Sequence, residues 1–278
     1  MTLSEELRLS NAPQGVIDAA IRTDLYSFIQ AFFPVVSPGG AFHKNWHIEA
    51  IAYALTRVMR GEIRRLIITV PPRNLKSFCA SVAFPAFVLG HEASRRIMCV
   101  SYSEALAAKH ANDFRAIMNS AKYRRIFRTR ISREKNTELE IMTTARGYRL
   151  AVPVGGTITG RGANIIIIDD PQKPQDAQSQ NAREQLHQWY PNTLLPRLDN
   201  KSTDAIILVM QRLHQDDLAG YLLRQEGWEV LNLPAIAEVE QEVPLAPGRF
   251  HRRLRGSLLH PEREPQPALD EVRRARGR

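Results

Sequence analysis

The sequence predicts an α/β fold in which a mostly parallel central sheet is flanked by helices. Four short runs are continuously apolar and rich in β-branched residues, at 66–70, 97–101, 165–168 and 205–210. Strands that are buried on both faces of a parallel sheet show this pattern, whereas half-exposed strands alternate. Segments of helical character lie between the runs, at 75–89, 103–118, 176–190 and 215–225. The alternation of strands and helices is typical of a doubly wound sheet.

The composition and the charge restrict the class of protein. The 278 residues fit one large domain, and 44% hydrophobic and 24% charged residues are ordinary for a folded soluble protein. Two cysteines, Cys79 and Cys99, exclude a disulfide scaffold and a four-thiolate zinc site. We find neither a secretory signal nor an apolar run near the roughly 20 residues of a membrane helix, so we expect a cytoplasmic protein without a membrane partner. The net charge of +9 favours a polyanionic partner.

Residues 1–60 form the predicted N-terminal helical region, which leads into the core. Apolar residues recur near the helical period over 15–33, where we expect one helix that Pro34 ends. A second helix is expected to begin at Asn45, a good N-cap, and to end at Arg60.

Residues 61–237 form the predicted core, which contains the four apolar runs. An antiparallel hairpin is expected within it, with strands at 138–143 and 147–152. From residue 238 the pattern fades, so we expect a linker and a basic tail over 238–278. The last part, 251–278, holds eight arginines, four acidic residues and no Phe, Trp or Tyr. This composition favours an extended or only partly ordered chain.

The segment PPRNLKS at 71–77 directly follows the first predicted strand and opens a helix. A loop in this place presents backbone N–H groups and a helix N-terminus to an anion. Lys76 would reach the β- and γ-phosphates of a nucleotide, and Ser77 would hold Mg²⁺ through its hydroxyl. Leu75 stands where the standard phosphate loop has glycine, so the segment alone is more typical of a strand exit with a surface lysine. The candidate nucleotide contacts in the loop are Pro72, Arg73, Asn74, Leu75, Lys76 and Ser77.

Two acidic residues, Asp169 and Asp170, end the segment of four isoleucines that forms the third run. We expect them at the carboxyl end of a central strand, the edge where open α/β sheets bind ligands. Asp169 fits a ligand of Mg²⁺, and Asp170 fits the residue that orients and deprotonates an attacking water. One of the continuously apolar runs, 97–101, and one helical segment separate the acids from Lys76 in sequence, as an additional-strand P-loop ATPase requires. Together the loop and the acids predict a site for ATP and Mg²⁺.

Three further residues are candidates for contact with a γ-phosphate. Gln211 stands at the end of the fourth run, where its side chain would sense hydrolysis. The alternative is that Met210–Arg212 is only a turn into the next helix, and both interpretations are equally supported. Arg161, in the glycine-rich segment 155–162, is a candidate arginine finger for the nucleotide of a neighbouring subunit. It is otherwise a loop arginine that contacts DNA or solvent. Arg73, inside the phosphate loop, is the competing finger.

Two other clusters carry weaker predictions. His43, Trp46 and His47 stand at the start of the second helix, where they either hold an adenine base or cap the helix. Six basic residues are either a solvated helix face or a track for DNA phosphates, which would bind DNA in a salt-sensitive way without base specificity. They are Lys122, Arg124, Arg125, Arg128, Arg130 and Arg133.

Six segments resemble the ATPase portion of the large terminase subunit of tailed bacteriophages. They are NWHIEAIAYAL (45–55), RLIITVPPRNLKS (65–77), SYSEALAAKHANDFR (101–115), GGTITGRGANIIIIDDP (155–171), MQRLHQDDLAGYLL (210–223) and LNLPAIAE (231–238). The resemblance covers about residues 15 to 262. It implies a RecA-like P-loop ATPase that moves double-stranded DNA through a portal into an empty procapsid, in the cytoplasm of a bacterial host.

The same resemblance implies partners and residue roles. The partners are a portal protein, a small terminase subunit and further copies of the chain in a homo-oligomeric ring. Members of this family lack the standard phosphate-loop glycines. Lys76 and Ser77 correspond to their phosphate and Mg²⁺ ligands, and Asp169 corresponds to their Mg²⁺ acid. Asp170 stands where many relatives have the catalytic glutamate, and Gln211 matches their coupling position.

Family members continue past the ATPase into a nuclease domain that binds two metal ions. The residues after Glu262 contain no acid cluster at a strand end, so we expect no nuclease activity from this chain. This pattern fits a truncated or frameshifted prophage product, or an isolated ATPase portion. Two other hypotheses stay open: a remnant that only binds nucleotide or DNA, and a helicase-like DNA-dependent ATPase, which would need a second sheet domain.

Overall fold

A computed structural model describes residues 12–156, 158 and 160–275. Residues 1–11 of the predicted helical region, Thr157 and Thr159 of the glycine-rich segment, and the last three residues of the basic tail lie outside the described part. The described residues form an α/β structure around one eight-stranded sheet, together with a two-stranded sheet.

The eight-stranded sheet is mostly parallel, as the sequence predicts. Its strands are β1 (Arg65–Thr69), β2 (Arg96–Ser101), β3 (Ile131–Asn136), β4 (Glu140–Thr143), β5 (Tyr148–Pro153), β6 (Ile165–Asp169), β7 (Ala205–Met210) and β8 (Glu229–Asn232). Their order is β3-β4-β5-β2-β6-β7-β1-β8, and neighbours are parallel from β5 through to β8. The predicted α/β fold class is therefore confirmed. A single strand, β7, separates β1 from β6, which is the additional-strand arrangement.

Burial on both faces explains why the central strands are continuously apolar. Every residue of β6 and β7 is buried. Successive side chains of a strand point to opposite faces, so Ile68 packs into one apolar core and Ile67 into the other. Each such side chain stabilises the fold by roughly 1.5–3 kcal/mol relative to an exposed one.

Helices cover both faces of this sheet. They are α1 (Gln14–Thr23), α2 (Leu25–Val36), α3 (Trp46–Met59), α4 (Phe84–His91), α5 (Glu104–Asn119), α6 (Ala121–Ile126), α7 (Gln180–Trp189) and α8 (Leu218–Leu223). A further helix, α9 (Gln266–Ala275), has no buried residue. A π-helical segment, Phe78–Ala83, leads into α4. Helices α1 to α6 pack into one core, and α7 and α8 pack into the other. Within the described residues, no helix combines the length and the apolarity needed to cross a membrane.

The prediction of one helix over 15–33, ended by Pro34, is wrong. Asp24 interrupts the helix, because its backbone is extended and its side chain accepts a hydrogen bond of 2.7 Å from the Ser27 amide, as an N-cap does. A second helix, α2, therefore begins at this point. It continues through Pro34 to Val36, although proline has no N–H to donate to the carbonyl four residues before it.

The sequence pattern misses four strands. β3 and β8 are polar edge strands, and β9 (Gln241–Ala246) and β10 (Arg249–Arg253) form the two-stranded antiparallel sheet. Edge strands are partly solvated, so they carry no continuous apolar run. The predicted hairpin of β4 and β5 is confirmed, and β5 also pairs with β2, which joins the hairpin to the main sheet. In the tail, α9 is helical where we expected an extended chain, and none of its residues is buried.

The turn between β4 and β5 is bonded to the connection that precedes β2. Thr143 Oγ1 donates to the Ala93 carbonyl over 2.6 Å, and the Tyr148 amide donates to the Arg95 carbonyl over 3.0 Å. Gly147 lies between these two bonds. A Cβ atom at Gly147 would stand 2.3 Å from the Ala93 oxygen and 2.5 Å from the Arg95 oxygen. Because these are backbone atoms, the turn requires glycine here.

We expect Gly147→Ala to lower the free energy of unfolding by about 1–3 kcal/mol, as overpacking does. Gly15→Ala is the matched control, because Gly15 lies in α1 with no atom within 4 Å of an added Cβ. Alanine should stabilise that helix by roughly 0.5–1 kcal/mol. Urea denaturation measures both effects, and an unchanged unfolding midpoint for Gly147→Ala would contradict the described turn.

Candidate active site

The carboxyl ends of β1, β6 and β7 meet at one edge of the sheet. The loop 71–77 follows β1, Asp169 ends β6, and Gln211 directly follows β7. In the strand register, Asp169 pairs with Val209, and Thr69 at the end of β1 pairs with Met210. Open α/β sheets bind their ligands at this edge. The topology therefore brings the predicted phosphate loop, the acidic pair and Gln211 together.

The loop 71–77, the predicted phosphate loop, has left-handed backbone conformations without any glycine. Arg73 and Leu75 have φ angles of 61° and 59°, which cost a non-glycine residue roughly 1–2 kcal/mol each. Asn74, between them, is buried and donates through Nδ2 to the Pro72 carbonyl over 3.1 Å. Strained backbone persists only where its surroundings fix it, and it is concentrated at functional sites. Leu75 therefore occupies the usual glycine position with a glycine-like backbone.

Lys76 and Asp170 form a mostly buried ion pair. The Lys76 Nζ atom lies 2.5 Å from Asp170 Oδ2, and only 7% of Lys76 is exposed. Burial and the neighbouring Asp169 carboxylate raise the pKa of Asp170 above its ordinary value, and the Lys76 ammonium opposes this shift. Asp170 Oδ1 accepts a hydrogen bond of 3.2 Å from the backbone amide of Gln211. The predicted phosphate ligand and the predicted catalytic acid are therefore in direct contact.

Asp169 is fully buried, and hydroxyl groups engage both of its carboxylate oxygens. Ser77 Oγ donates to Oδ1 over 2.9 Å, and Ser81 Oγ donates to Oδ2 over 2.7 Å. Burial raises the pKa of Asp169, while the Lys76 charge and the two hydroxyl donors oppose the shift. His110 Nδ1 lies 3.5 Å from Oδ2, and burial lowers the pKa of His110 to about 3, so this ring is neutral at pH 7. The two predicted Mg²⁺ ligands, Ser77 and Asp169, thus touch each other.

Three residues behind Asp169 were not predicted from the sequence: Ser81, His110 and Arg149. Ser81 follows Ser77 by four residues, a spacing that places both on one face of a helix. His110 stands on the buried face of α5, and Arg149 interrupts the apolar residues of β5. These signals were present in the sequence. These signals indicate that the side chains are buried, but the group that each side chain contacts depends on how distant elements pack.

Of the residues after β7, Gln211 contacts the site and Arg212 contacts the start of the next helix. Gln211 contacts Asp170 through its backbone amide, so the role of its side chain as a sensor stays a prediction. Arg212 Nε instead donates to both carboxylate oxygens of Asp217, over 3.1 and 3.0 Å. Asp217 is the N-cap of α8 and accepts from the Gly220 amide over 2.9 Å. Arg212 therefore stabilises the turn into α8.

The two candidate arginine fingers lie in different places. Arg73 is exposed in the phosphate loop. Arg161 Nη2 lies 2.8 Å from Glu140 Oε2, and its guanidinium stands 5.8 Å from the centre of the Tyr148 ring. Both partners belong to the β4–β5 hairpin, which β2, β6 and β7 separate from β1. The structure therefore does not bring Arg161 to Lys76 within one chain, and its role toward a neighbouring subunit stays a prediction.

The aromatic side chains at the start of α3 pack against the C-terminal part of the chain. Trp46 stacks on His251, with ring centroids 4.1 Å apart. His47 is buried beside His260 at 5.6 Å, and His43 lies 6.3 Å from the same ring. Burial lowers the pKa of His47 to about 4. The cluster therefore joins α3 to the tail, and its contact with an adenine base stays a prediction.

Most of the basic run at 122–133 has local partners. Arg125, for example, forms an ion pair of 2.6 Å with Asp18. Four of the six side chains have hydrogen bonds within the chain: Lys122, Arg124, Arg125 and Arg130. Arg128 and Arg133 are exposed, and neither has an ion pair or side-chain hydrogen bond among the described residues. This arrangement favours the interpretation of a solvated surface with structural contacts over a continuous track for DNA phosphates.

The donor set at the site fits Mg²⁺ in a nucleotide complex. Among the described residues, no three His, Cys, Asp or Glu side chains are grouped so that they could hold a metal ion alone. Mg²⁺ in phosphate sites takes only one or two protein oxygens and completes its shell with phosphate and water oxygens. The Ser77 hydroxyl and the Asp169 carboxylate supply oxygens of this kind.

We expect Arg73→Gly to have a higher free energy of unfolding than Arg73→Ala, by about 1 kcal/mol. Both substitutions remove the same exposed side chain, but only glycine adopts a φ of 61° without strain. Chemical denaturation of the two variants measures the difference. If Arg73→Ala proves equally stable, residue 73 is not held in the left-handed region.

His47 should make the free energy of unfolding depend on pH between about 4 and 6.5. The folded chain keeps the pKa of His47 at about 4, whereas the unfolded chain takes up the proton near the ordinary value of 6.5. Stability is therefore complete above pH 6.5 and declines as the pH falls toward 4, by about 3 kcal/mol from this residue. We expect His47→Asn to reduce the decline, because it removes the group that takes up the proton. Urea denaturation at several pH values checks this, and equal slopes for His47→Asn and the unsubstituted chain would contradict it.

Comparison with known proteins identifies a similar structure but no similar sequence family. A scan against protein-family models finds no match, and a search of the curated proteins also finds none. Among solved structures, the crystal structure of the HK97 bacteriophage large terminase is similar, with 16% sequence identity and a TM-score of 0.47. The alignment covers 77% of this chain and 44% of that chain, so this chain spans less than half of that protein's length. An identity and a TM-score this low assign neither a family nor an activity.

Proposed function

We propose that the chain is an ATPase that binds ATP and Mg²⁺ at the carboxyl edge of its sheet. The contact of 2.9 Å between Ser77 and Asp169 supports this most, because it joins a phosphate-type loop to a strand-end acid across one intervening strand. Lys76 and Asp170 lie beside this contact. A lysine, a helix start, a hydroxyl and two carboxylates thus converge, and phosphoryl transfer uses these groups for positioning and charge stabilisation.

The phosphates and the metal have separate ligands in this proposal. Lys76 and the backbone N–H groups of 73–77 bind the phosphates at the helix start. Ser77 and Asp169 hold Mg²⁺, which neutralises phosphate charge when it is bound. Ser77 is already aligned for this role by its hydrogen bond to Asp169.

Asp170 orients the attacking water and accepts its proton. In the structure its carboxylate holds the Lys76 ammonium, so ATP competes with Asp170 for the same cation. Phosphate binding therefore frees Asp170 for the water. The Gln211 amide keeps the carboxylate at the end of β7 during this exchange. Arg73 of this chain or Arg161 of a neighbouring copy supplies the additional positive charge of an arginine finger.

The work done with ATP is, in our proposal, the packaging of double-stranded DNA into a phage procapsid. The support for this step is the resemblance of the six sequence segments to large terminase subunits. Within this proposal the chain acts in a homo-oligomeric ring in the host cytoplasm, with a portal protein and a small terminase subunit as partners. The basic run at 122–133 contributes little to DNA binding, because four of its six side chains have partners within the chain.

A second candidate function is nucleotide binding without turnover. The ion pair of 2.5 Å between Lys76 and Asp170 favours it, since a carboxylate that keeps its lysine is not free to orient water. Aspartate is also one methylene shorter than the glutamate that stands at this position in many terminases. In this case the chain would bind ATP with Mg²⁺ and release no phosphate.

Phosphate release by the purified chain, with ATP and Mg²⁺ and with or without double-stranded DNA, separates these functions. We expect turnover that DNA stimulates and that Lys76→Ala lowers at least about 100-fold, as the loss of a charge-stabilising group does. Lys109→Ala is the matched control, because Lys109 is an exposed lysine of α5 paired with Asp113. Equal rates for Lys76→Ala and the unsubstituted chain would overturn the ATPase site. Nucleotide binding without phosphate release would establish the second candidate.

A further inference from the structure

Arg149 of β5 is a fully buried cation that the proposed reaction does not use. Its side chain has no exposed surface, and its guanidinium stands 5.7 Å from the centre of the Phe114 ring. No carboxylate forms an ion pair with it among the described residues. Burial lowers the pKa of Arg149, and the Asp169 carboxylate is one of the groups that oppose this shift. A buried guanidinium is costly unless its surroundings compensate it. The groups that contact the Arg149 guanidinium therefore indicate its function.

The hydrogen bonds of Arg149 connect it to the proposed Mg²⁺ site. Arg149 Nε and Nη2 donate to the Ser81 carbonyl over 3.2 and 3.0 Å. Ser81 belongs to the π-helical segment Phe78–Ala83, and π-helical turns inside helices are frequent at functional sites. The Ser81 hydroxyl donates to Asp169 Oδ2 over 2.7 Å. One residue thus contacts Arg149 with its carbonyl and Asp169 with its hydroxyl.

The two carboxylate oxygens of Asp169 accept hydrogen bonds from different residues. Oδ1 accepts from Ser77 at the side of the phosphate loop, and Oδ2 accepts from Ser81 at the side of the buried arginine. Rotation of the carboxylate would break both bonds together. The orientation of Asp169 therefore depends on the position of Ser81, and the position of Ser81 depends on Arg149.

We propose that Arg149 is a positioning residue for Asp169, acting through Ser81 to aim the carboxylate at Ser77 and at bound Mg²⁺. This inference rests on the proposed ATP site. It also gives the β4–β5 hairpin a function, because this hairpin carries Arg149 to the site across β2. Residues that orient a metal ligand in this way typically contribute 10- to 100-fold to metal affinity.

A purely structural role makes a different prediction. If Arg149 only satisfies the Ser81 carbonyl, its loss lowers the melting temperature and leaves metal binding as it was. If Arg149 positions Asp169, its loss weakens Mg²⁺ binding in protein that is still folded. The Mg²⁺ requirement of nucleotide binding therefore separates the two roles.

The test is the binding of the fluorescent analogue mant-ATP to the full chain, titrated with Mg²⁺ and repeated in EDTA. We expect Ser81→Ala and Arg149→Met to raise the half-saturating Mg²⁺ concentration about ten-fold and to leave the affinity in EDTA unchanged. The half-saturating Mg²⁺ concentration of Arg149→Lys should lie between those of these variants and the unsubstituted chain, because lysine keeps the charge and loses the two-nitrogen contact. Thr129→Ala is the matched control, since it removes another buried hydroxyl bond, of 2.7 Å to the Leu89 carbonyl.

An unchanged Mg²⁺ requirement in Ser81→Ala would overturn the positioning role, and this variant decides the question even if Arg149→Met does not fold. An equal increase in Thr129→Ala would overturn it as well, because the effect would then follow from lost stability. If the unsubstituted chain binds no mant-ATP, the proposed ATP site fails and this inference fails with it. If that chain binds in a Mg²⁺-dependent way and Ser81→Ala matches it, only the role of Arg149 fails.

Discussion

The burial of the Asp169 carboxylate is the constraint on which the rest of the site depends. A buried negative charge is stable only where hydrogen-bond donors and positive charge surround it. The fold supplies two hydroxyl donors, Ser77 and Ser81, and places the Lys76 ammonium nearby. All three residues come from the loop and helix that follow β1. The hydrogen bonds and the positive charge that stabilise the Asp169 carboxylate therefore hold this loop against the end of β6. The same contacts arrange the groups that the proposed reaction needs.

The phosphate loop shows how the chain reaches a demanding backbone shape without glycine. Two residues, Arg73 and Leu75, have left-handed φ angles, and together they cost roughly 2–4 kcal/mol. The hydrogen bond from buried Asn74 to Pro72 and the burial of Lys76 hold the loop in this shape. A loop strained in this way is fixed before a ligand arrives, which lowers the entropy cost of binding. The sequence motif lacks glycine, but its backbone has the conformation that glycine usually provides.

The parts of the fold that the sequence predicts are those with a local physical cause. β1, β2, β6 and β7 are buried on both faces, so each one leaves a continuous apolar run. The convergence of the loop 71–77 with Asp169 and Asp170 was also predictable, because the carboxyl ends of parallel strands share one edge. The boundary at Asp24 was less visible, since the helical period of the flanking apolar residues hides a single N-cap.

The remaining parts arise from contacts between distant segments. Ser81 meets Asp169 across 88 residues, and Arg149 meets Ser81 across 68, so no local pattern reveals either contact. The polar edge strand β8 lacks an apolar run because most of its side chains are exposed. The basic run at 122–133 also depends on such contacts, because its charge pattern does not reveal that Arg125 pairs with Asp18 of a distant helix.

The most direct test of the central claim is a crystal structure of the chain with Mg²⁺ and a non-hydrolysable ATP analogue. We expect the analogue to occupy the edge formed by β1, β6 and β7, with Mg²⁺ on the Ser77 hydroxyl beside Asp169. We also expect Lys76 to leave Asp170 and to contact the phosphates. An analogue bound elsewhere, or an unbroken pair of Lys76 and Asp170 beside a bound nucleotide, would contradict the central claim.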